Sequence, residues 1–412
     1  MSKLLAGNLS AQFVILIFTP IITRLYTPND YGIMVLVGSV VAVLSIFSCM
    51  RYETAIIIER EENNAKTIMF LCFYICIIST LVIAFLSYSA YYINPDIFGQ
   101  IGPLIVLFVI IGYFTMGIHL ALTSYLVRKK KYQILSILYL VTALITVIIK
   151  VIYGYFYGSN PYALLLASIP GALLAIVVMF IALNRAGVFN ELDYLGVDRL
   201  KIVAKKHDEF PKYQVSNSLL NSASQNTIVL LLTIFFTPQV VGFYGLSQSV
   251  LQKPIKLIGD SFSRVYLQNV AELQDDKAAL AKSLLRSTSV FALMGVLPFG
   301  MLMIWGEGLF SYVFGANWSE AGYYTQILAP WIFVAFVNNP SRQMIILLKK
   351  LRFNFLFQLS GLLLRVSTVV VLALLSKSVI VVIATFAFLG VLLNLYYIIM
   401  TYKFTVQAYS AA

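Results

Sequence analysis

The sequence predicts an all-α integral membrane protein of about twelve transmembrane helices, arranged as two parallel six-helix lobes around a central cavity. Three observations predict it. Of the 412 residues, 60% are hydrophobic and only 11% charged, and the mean hydropathy is +0.88. So little charge cannot cover a soluble surface of this size. Apolar runs of about 20 to 25 residues, the length that crosses a bilayer as a helix, recur along the whole chain. The basic residues between those runs fall almost entirely on alternate sides.

The runs place spans at 4–23, 31–50, 67–91, 103–127, 132–156 and 161–183. After a polar stretch they resume at 213–236, 240–262, 284–305, 322–348, 351–375 and 379–402. Lys3 is followed by a long apolar segment without a small-residue cleavage pattern, so the first run reads as a span and not as a removable signal. Counting alternately from a cytoplasmic N-terminus puts Arg51, Arg60, Lys66, the run Arg128-Lys129-Lys130-Lys131, Lys201, Lys205, Lys206 and Lys349-Lys350 on the inner side. Only Arg24 and Lys377 fall in outer segments, and only Lys150, Arg342 and Arg365 within spans. This asymmetry places both termini in the cytoplasm, with basic loops that meet anionic headgroups.

Several function classes drop out. The net charge of +12 is spread over loops and not gathered on one face with interleaved aromatics, so nucleic acid is not a partner. Cys49, Cys72 and Cys76 lie in apolar stretches and the only histidines are His119 and His207, which leaves no metal site, no disulfide framework and no cofactor. His119 reads as a packing residue. The longest outer connection, 306–321, holds two carboxylates and no histidine or basic residue, and no hydrolytic triad or phosphate-binding glycine loop appears elsewhere, so the chain does not read as an enzyme. The stretch 272–286 (ELQDDKAALAKSLLR) alternates charge and apolar residues at helical spacing and reads as an interfacial helix in contact with lipid. Tyr91, Tyr92, Trp305 and Trp318 near helix ends read as interfacial anchors.

Two passages match at an offset of 210 residues. Thr27-Pro28 and Gly32 recur as Thr237-Pro238 and Gly242, Ser39-Val40 as Ser249-Val250, and Asn8 and Gln12 fall on Ser218 and Ser222. The matches coincide with a six-plus-six division into an N-terminal lobe over 1–183, a cytoplasmic connection over 184–212 and a C-terminal lobe over 213–412. An even number of spans per half makes the copies parallel, with a binding site near the midplane between them.

The run Pro20-Ile-Ile-Thr-Arg24-Leu-Tyr-Thr-Pro28-Asn-Asp30-Tyr-Gly32, followed by Arg51-Tyr-Glu53-Thr, resembles the opening of bacterial polysaccharide-biosynthesis flippases of the Wzx type. Their superfamily also holds the lipid II flippase and the multidrug and toxin extrusion exporters. Phe210-Pro-Lys-Tyr, Ser218-Leu-Leu-Asn-Ser, Phe235-Phe-Thr-Pro238 and Gly242-Phe-Tyr-Gly245 look like the counterpart in the second lobe. The resemblance implies translocation of an undecaprenyl-pyrophosphate-linked oligosaccharide repeat unit to the outer leaflet, for O-antigen, capsule or a similar polymer. It further implies membrane lipids, a polysaccharide polymerase and chain-length proteins as partners. It points to Arg24, Arg51 and Arg264 as cavity residues for the pyrophosphate.

The residues themselves argue for an anion site independently. A charge near the centre of a span costs roughly 2.5–3.5 kcal/mol on insertion scales and so faces a partner or a wet cavity. Arg365 lies too deep in 351–375 to reach either surface; Lys150 and Arg342 sit nearer helix ends and either snorkel or join the cavity. Arg24 either pairs with Asp30 or serves the site, and Arg51 and Arg264 are either positive-inside anchors or ligands. A local Arg51–Glu53 ion pair is the simpler reading of that dipeptide step. No carboxylate lies near the middle of a span, which favours an anionic cargo over a cationic drug, and guanidinium suits phosphate because its fork meets two oxygens at once. Asn217, Asn221 and Gln225 share one face of the seventh span, and Asn8 and Gln12 one face of the first. These amides either bind sugar hydroxyls or bond neighbouring helices. The competing reading is a cation-coupled small-molecule exporter of the same fold; a membrane glycan polymerase or ligase is the alternative from another class.

Overall fold

The computed structural model describes residues 2–93, 102–189, 196–273, 276–376 and 378–410. Lys377 and the side chains of Lys3, Tyr91, Lys256, Arg264 and Lys277 lie outside the described set. Every regular element among the described residues is helical. The chain divides into two compact units, Met1–Leu230 and Leu231–Ala412.

The first unit opens with α1 (Ser2–Leu25) and α2 (Pro28–Leu44). The chain turns between them because Thr27 caps α2: its hydroxyl accepts from the Asp30 backbone N–H, and Pro28 needs no intrahelical donor at the first position. A turn leads to the short α3 (Tyr52–Ile58), and α4 (Glu62–Ile93), α5 (Pro103–Arg128) and α6 (Tyr132–Tyr157) follow as long apolar helices. Asn160 and Pro161 start α7 (Pro161–Leu166), which runs on through one turn residue into α8 (Ser168–Arg185). The polar connection contains its own helix α9 (Val197–Lys206), then a π-helical turn over Phe210–Gln214 that feeds α10 (Val215–Phe235). The main core joins Cys49, Tyr52, Ile56, Met69, Cys72, Leu122, Tyr125 and Met179, with Val203 of α9 buried among them. A second core, Ile22, Tyr26, Val147 and Leu164, seals α1 against α6. Gly154 permits that approach, since a Cβ there would meet the Tyr26 ring at 2.8 Å.

In the second unit, α11 (Pro238–Glu272) and α12 (Lys277–Phe314) are long helices, and α13 (Ser319–Val337) returns beside α12. The two touch backbone to backbone: a Cβ on Gly322 would lie 2.4 Å from the Gly306 carbonyl oxygen. Such small-residue contacts are how helices associate where water supplies no hydrophobic force. The remaining helices are α14 (Asn339–Leu347), α15 (Leu351–Ser376) and α16 (Val379–Ser410). A buried amide pair, Asn338 Nδ2 to Asn394 Oδ1 at 2.9 Å, ties the α13–α14 junction to α16.

Large apolar side chains stand exposed in rows, Leu81 and Phe85 on α4 and Leu293 and Leu297 on α12 among them. Outward apolar surface on helices whose backbone bonds are internally satisfied is the signature of lipid as solvent. Nine described helical segments are long and apolar enough to cross a membrane. They correspond to nine of the twelve expected spans, and the other three are helical but interrupted or polar. The second breaks after Leu44, the eighth lies in α11 with its several charges, and the tenth splits between α13 and α14 at Asn339-Pro340.

Three expectations need correction. The stretch 272–286 is not a lipid-facing interfacial helix. Among its described residues, Glu272 ends α11 and 277–286 are the first turns of α12, where Leu280 and Leu284 are buried against Tyr266, Val270 and Met344. The 306–321 connection is largely helical, because α12 runs on to Phe314 and stops at Gly315, whose φ of 109° a side chain would resist. Trp318 is not an interfacial anchor: it is buried, edge-on to Phe243.

Candidate functional site

In the first unit, the chain breaks at two successive non-glycine residues with positive φ, Met50 at 48° and Arg51 at 64°. L-residues resist this region, so the conformation is held by its surroundings. Its effect is to aim Arg51 away from α3 and toward α10. Arg51 Nε donates to Ser218 Oγ at 2.7 Å, and one terminal nitrogen donates to Glu53 Oε1 at 3.1 Å. Glu53 is buried, and its other oxygen, Oε2, has no hydrogen-bond partner among the described residues. On α10, Asn217, Asn221 and Gln225 are exposed on one face, and Gln225 donates to Asn221 at 3.1 Å. Asn8 and Gln12 form the same i,i+4 amide pair on α1, at 3.3 Å. Asn8, Asn217, Asn221 and Gln225 are exposed and Gln12 is half-buried.

Lys150 is half-buried on α6, with Nζ 3.2 Å from Met34 Sδ of α2. Arg24 stands exposed in the last turn of α1. Asp30 accepts from the Thr27 hydroxyl at 2.7 Å and from Ser159. Arg264 lies in α11, with its side chain outside the described set.

The second unit presents a different arrangement. The Arg365 guanidinium, on α15, lies 4.9 Å from the Trp331 ring centre and 5.3 Å from that of Phe386. Gly390 seats the indole: a Cβ there would come within 2.3 Å of it. Arg365 Nε is buried with no acceptor among the described residues, and Arg365 makes no ion pair among them. Arg342, on α14, is exposed, also forms no ion pair among the described residues, and is near enough to Arg365 for the two charges to repel. Tyr244 faces Arg365 and Tyr397 faces Arg342. Quadrupole attraction from two rings, worth about 0.5–2 kcal/mol each, can hold a guanidinium in place while leaving its donors unspent. Two repelling cations with no carboxylate partner among the described residues have the charge and the donors that an anion requires.

Sequence reasoning missed the aromatic seat of Arg365, Ser218 as the partner of Arg51, and a cluster on the connection. Lys206 Nζ donates to both oxygens of Glu59 at 3.0 and 2.7 Å, and His207 Nε2 lies 2.7 Å from Glu59 Oε2. Tyr52 donates to the Ala204 carbonyl at 3.1 Å. The connection is therefore a docked element of the first unit. His119 packs as expected, against Tyr139 and near Thr123.

Residues 21–323 match the family described as polysaccharide biosynthesis protein. The chain belongs to that family. The assignment bears out the Wzx-type resemblance read from the opening residues. Among solved structures the chain is similar to an inward-facing multidrug resistance MATE family transporter of the MOP superfamily, at 12% identity and a TM-score of 0.68, covering 97% of this chain and 95% of that one. It is similar to the lipid II flippase MurJ in an inward closed conformation, at 10% identity and a TM-score of 0.68, covering 95% and 86%. The MATE multidrug transporter DinF-BH gives 13% identity and a TM-score of 0.60, covering 97% and 93%. At such identities the likeness is one of fold. No curated protein matches by sequence. The family and the nine described apolar helices make the chain a multi-pass membrane protein of polysaccharide biosynthesis.

Proposed function

We propose that the chain flips an undecaprenyl-pyrophosphate-linked oligosaccharide repeat unit from the cytoplasmic to the outer leaflet of a bacterial inner membrane, by alternating access, for a surface polysaccharide. The observation that carries this reading is the Arg342–Arg365 pair, two cations within the second unit that repel each other and have no carboxylate partner among the described residues. A pyrophosphate would neutralise both. Within the first unit, the Arg51 guanidinium suits phosphate by its own chemistry, and the exposed amides Asn217, Asn221 and Gln225 suit sugar hydroxyls. The MurJ likeness supports a lipid-linked cargo for this fold.

The MATE likenesses favour a second reading, a small-molecule exporter. The two are separated by a gene deletion complemented with Arg365→Ala or Arg342→Ala. The flippase reading expects loss of surface glycan and an accumulated lipid-linked intermediate, with the protein still in the membrane. Normal glycan in both variants, or drug sensitivity as the sole phenotype of the deletion, would favour the exporter.

A further inference from the structure

Glu53 is 5% exposed, has one partner for Oε1, the Arg51 guanidinium at 3.1 Å, and has none for Oε2 among the described residues. A buried carboxylate is stable as an anion only while a charge faces it. On the reading above, that same guanidinium is wanted by the cargo phosphate. We propose that Glu53 exchanges its guanidinium partner for a proton when cargo binds: when phosphate draws Arg51 away, Glu53 takes a proton from solvent, and when phosphate leaves, Arg51 returns and the proton is released. The charge at the site then stays balanced, because an anion and a proton arrive together. This inference rests on Arg51 being a phosphate ligand.

The surroundings leave Glu53 no other counter-charge among the described residues. On its own segment it faces Arg51, and from α4 it faces Cys72. The charges that α5 and the 210–214 turn bring nearby are committed elsewhere, Arg128 to Glu62 at 3.4 Å and Lys212 to Asp208. Departure of the Arg51 guanidinium also frees Ser218, the α10 residue between Asn217 and the next amide-bearing turn.

The test is infrared difference spectroscopy on the purified full chain, with inorganic pyrophosphate as the probe, alongside its affinity as a function of pH. The expected result is a protonated-carboxyl band that appears with pyrophosphate in the wild type and is absent in Glu53→Gln. Affinity in the wild type should strengthen as pH falls. In Glu53→Gln it should be roughly tenfold tighter at neutral pH, the equivalent of one charge-assisted hydrogen bond no longer broken, with that part of the pH dependence gone. Glu53→Asp, which keeps the acid, should shift the band without removing it and so assigns it even where Glu53→Gln folds poorly. Binding without the band, or an unchanged affinity and pH slope in Glu53→Gln, overturns the exchange and leaves the phosphate reading intact. Failure of the wild type to bind pyrophosphate overturns both.

Discussion

Replacing Glu59 by glutamine removes the charge that docks the connection onto the first unit, and its effect can be worked from the structure. Burial pushes the Glu59 carboxyl up, but the Lys206 ammonium, the His207 ring and the Glu61 N–H outweigh it and hold the group at about 2, against an ordinary 4.5. At 1.36 kcal/mol per unit, that difference corresponds to about 3 kcal/mol of folded-state stabilisation. Lys206 is half exposed, so solvent screening trims its share, and about 2 kcal/mol is expected for Glu59→Gln. The sign follows from a depressed folded value: the stabilisation is fully present above pH 4.5 and is lost as pH falls toward about 2. Denaturant unfolding of the purified full chain, followed with limited proteolysis of the α9 segment, measures both. Glu59→Gln should lose about 2 kcal/mol at neutral pH, expose α9 to protease, and flatten the decline between pH 4.5 and 2. Wild-type stability in Glu59→Gln, or an acid decline as steep as the wild type's, would refute the latch.

Other consequences are more local. Arg365→Lys should retain part of the transport that Arg365→Ala loses if charge alone matters, and much less if the planar fork is needed; surface glycan per cell reads the difference. Gly390→Ala drives a methyl into the Trp331 ring and should impair transport as Arg365 loses its seat, with a stability cost of about 1–3 kcal/mol from overpacking. Gly322→Ala pushes on backbone and not on a flexible side chain, so it should cost at least as much, and thermal unfolding in detergent checks it. Joint replacement of Asn217, Asn221 and Gln225 by alanine should stop transport while moving stability by less than about 1 kcal/mol, since all three are exposed and two bond only each other. A large stability loss there would assign them to helix packing.

The membrane class and most of the spans were legible because the bilayer imposes a length and a polarity that composition reports directly. The three irregular spans show where that signal fails. The break after Leu44 has no proline or glycine to announce it; it is held by tertiary contacts of Cys49, Tyr52 and Arg51 that only the folded unit supplies. The stretch 272–286 reads as lipid-facing because the apolar stripe at the start of α12 looks the same whether it meets lipid or Tyr266 and Met344. Depth marked Arg365 as a cation needing a partner, which was correct, but its partner is a pair of rings from α13 and α16, and no spacing rule connects 331, 365 and 386. Arg51 was readable as an ion pair with Glu53, whereas Ser218, 167 residues away, was not. The connection over 184–212 reads as a polar linker because Glu59, Lys206 and His207 are ordinary surface types until the fold brings them together.

A cargo recognised by its phosphate must be discriminated from the same lipid without one. Proteoliposomes holding the full chain, loaded with a fluorescent polyprenyl-linked oligosaccharide in pyrophosphate-bearing and phosphate-free versions, measure this directly through accessibility to a membrane-impermeant quencher. The account predicts rapid movement of the pyrophosphate form, little movement of the neutral form, and loss of that preference when Arg342 and Arg365 are both alanine. Equal rates for the two lipids in the wild type would contradict it.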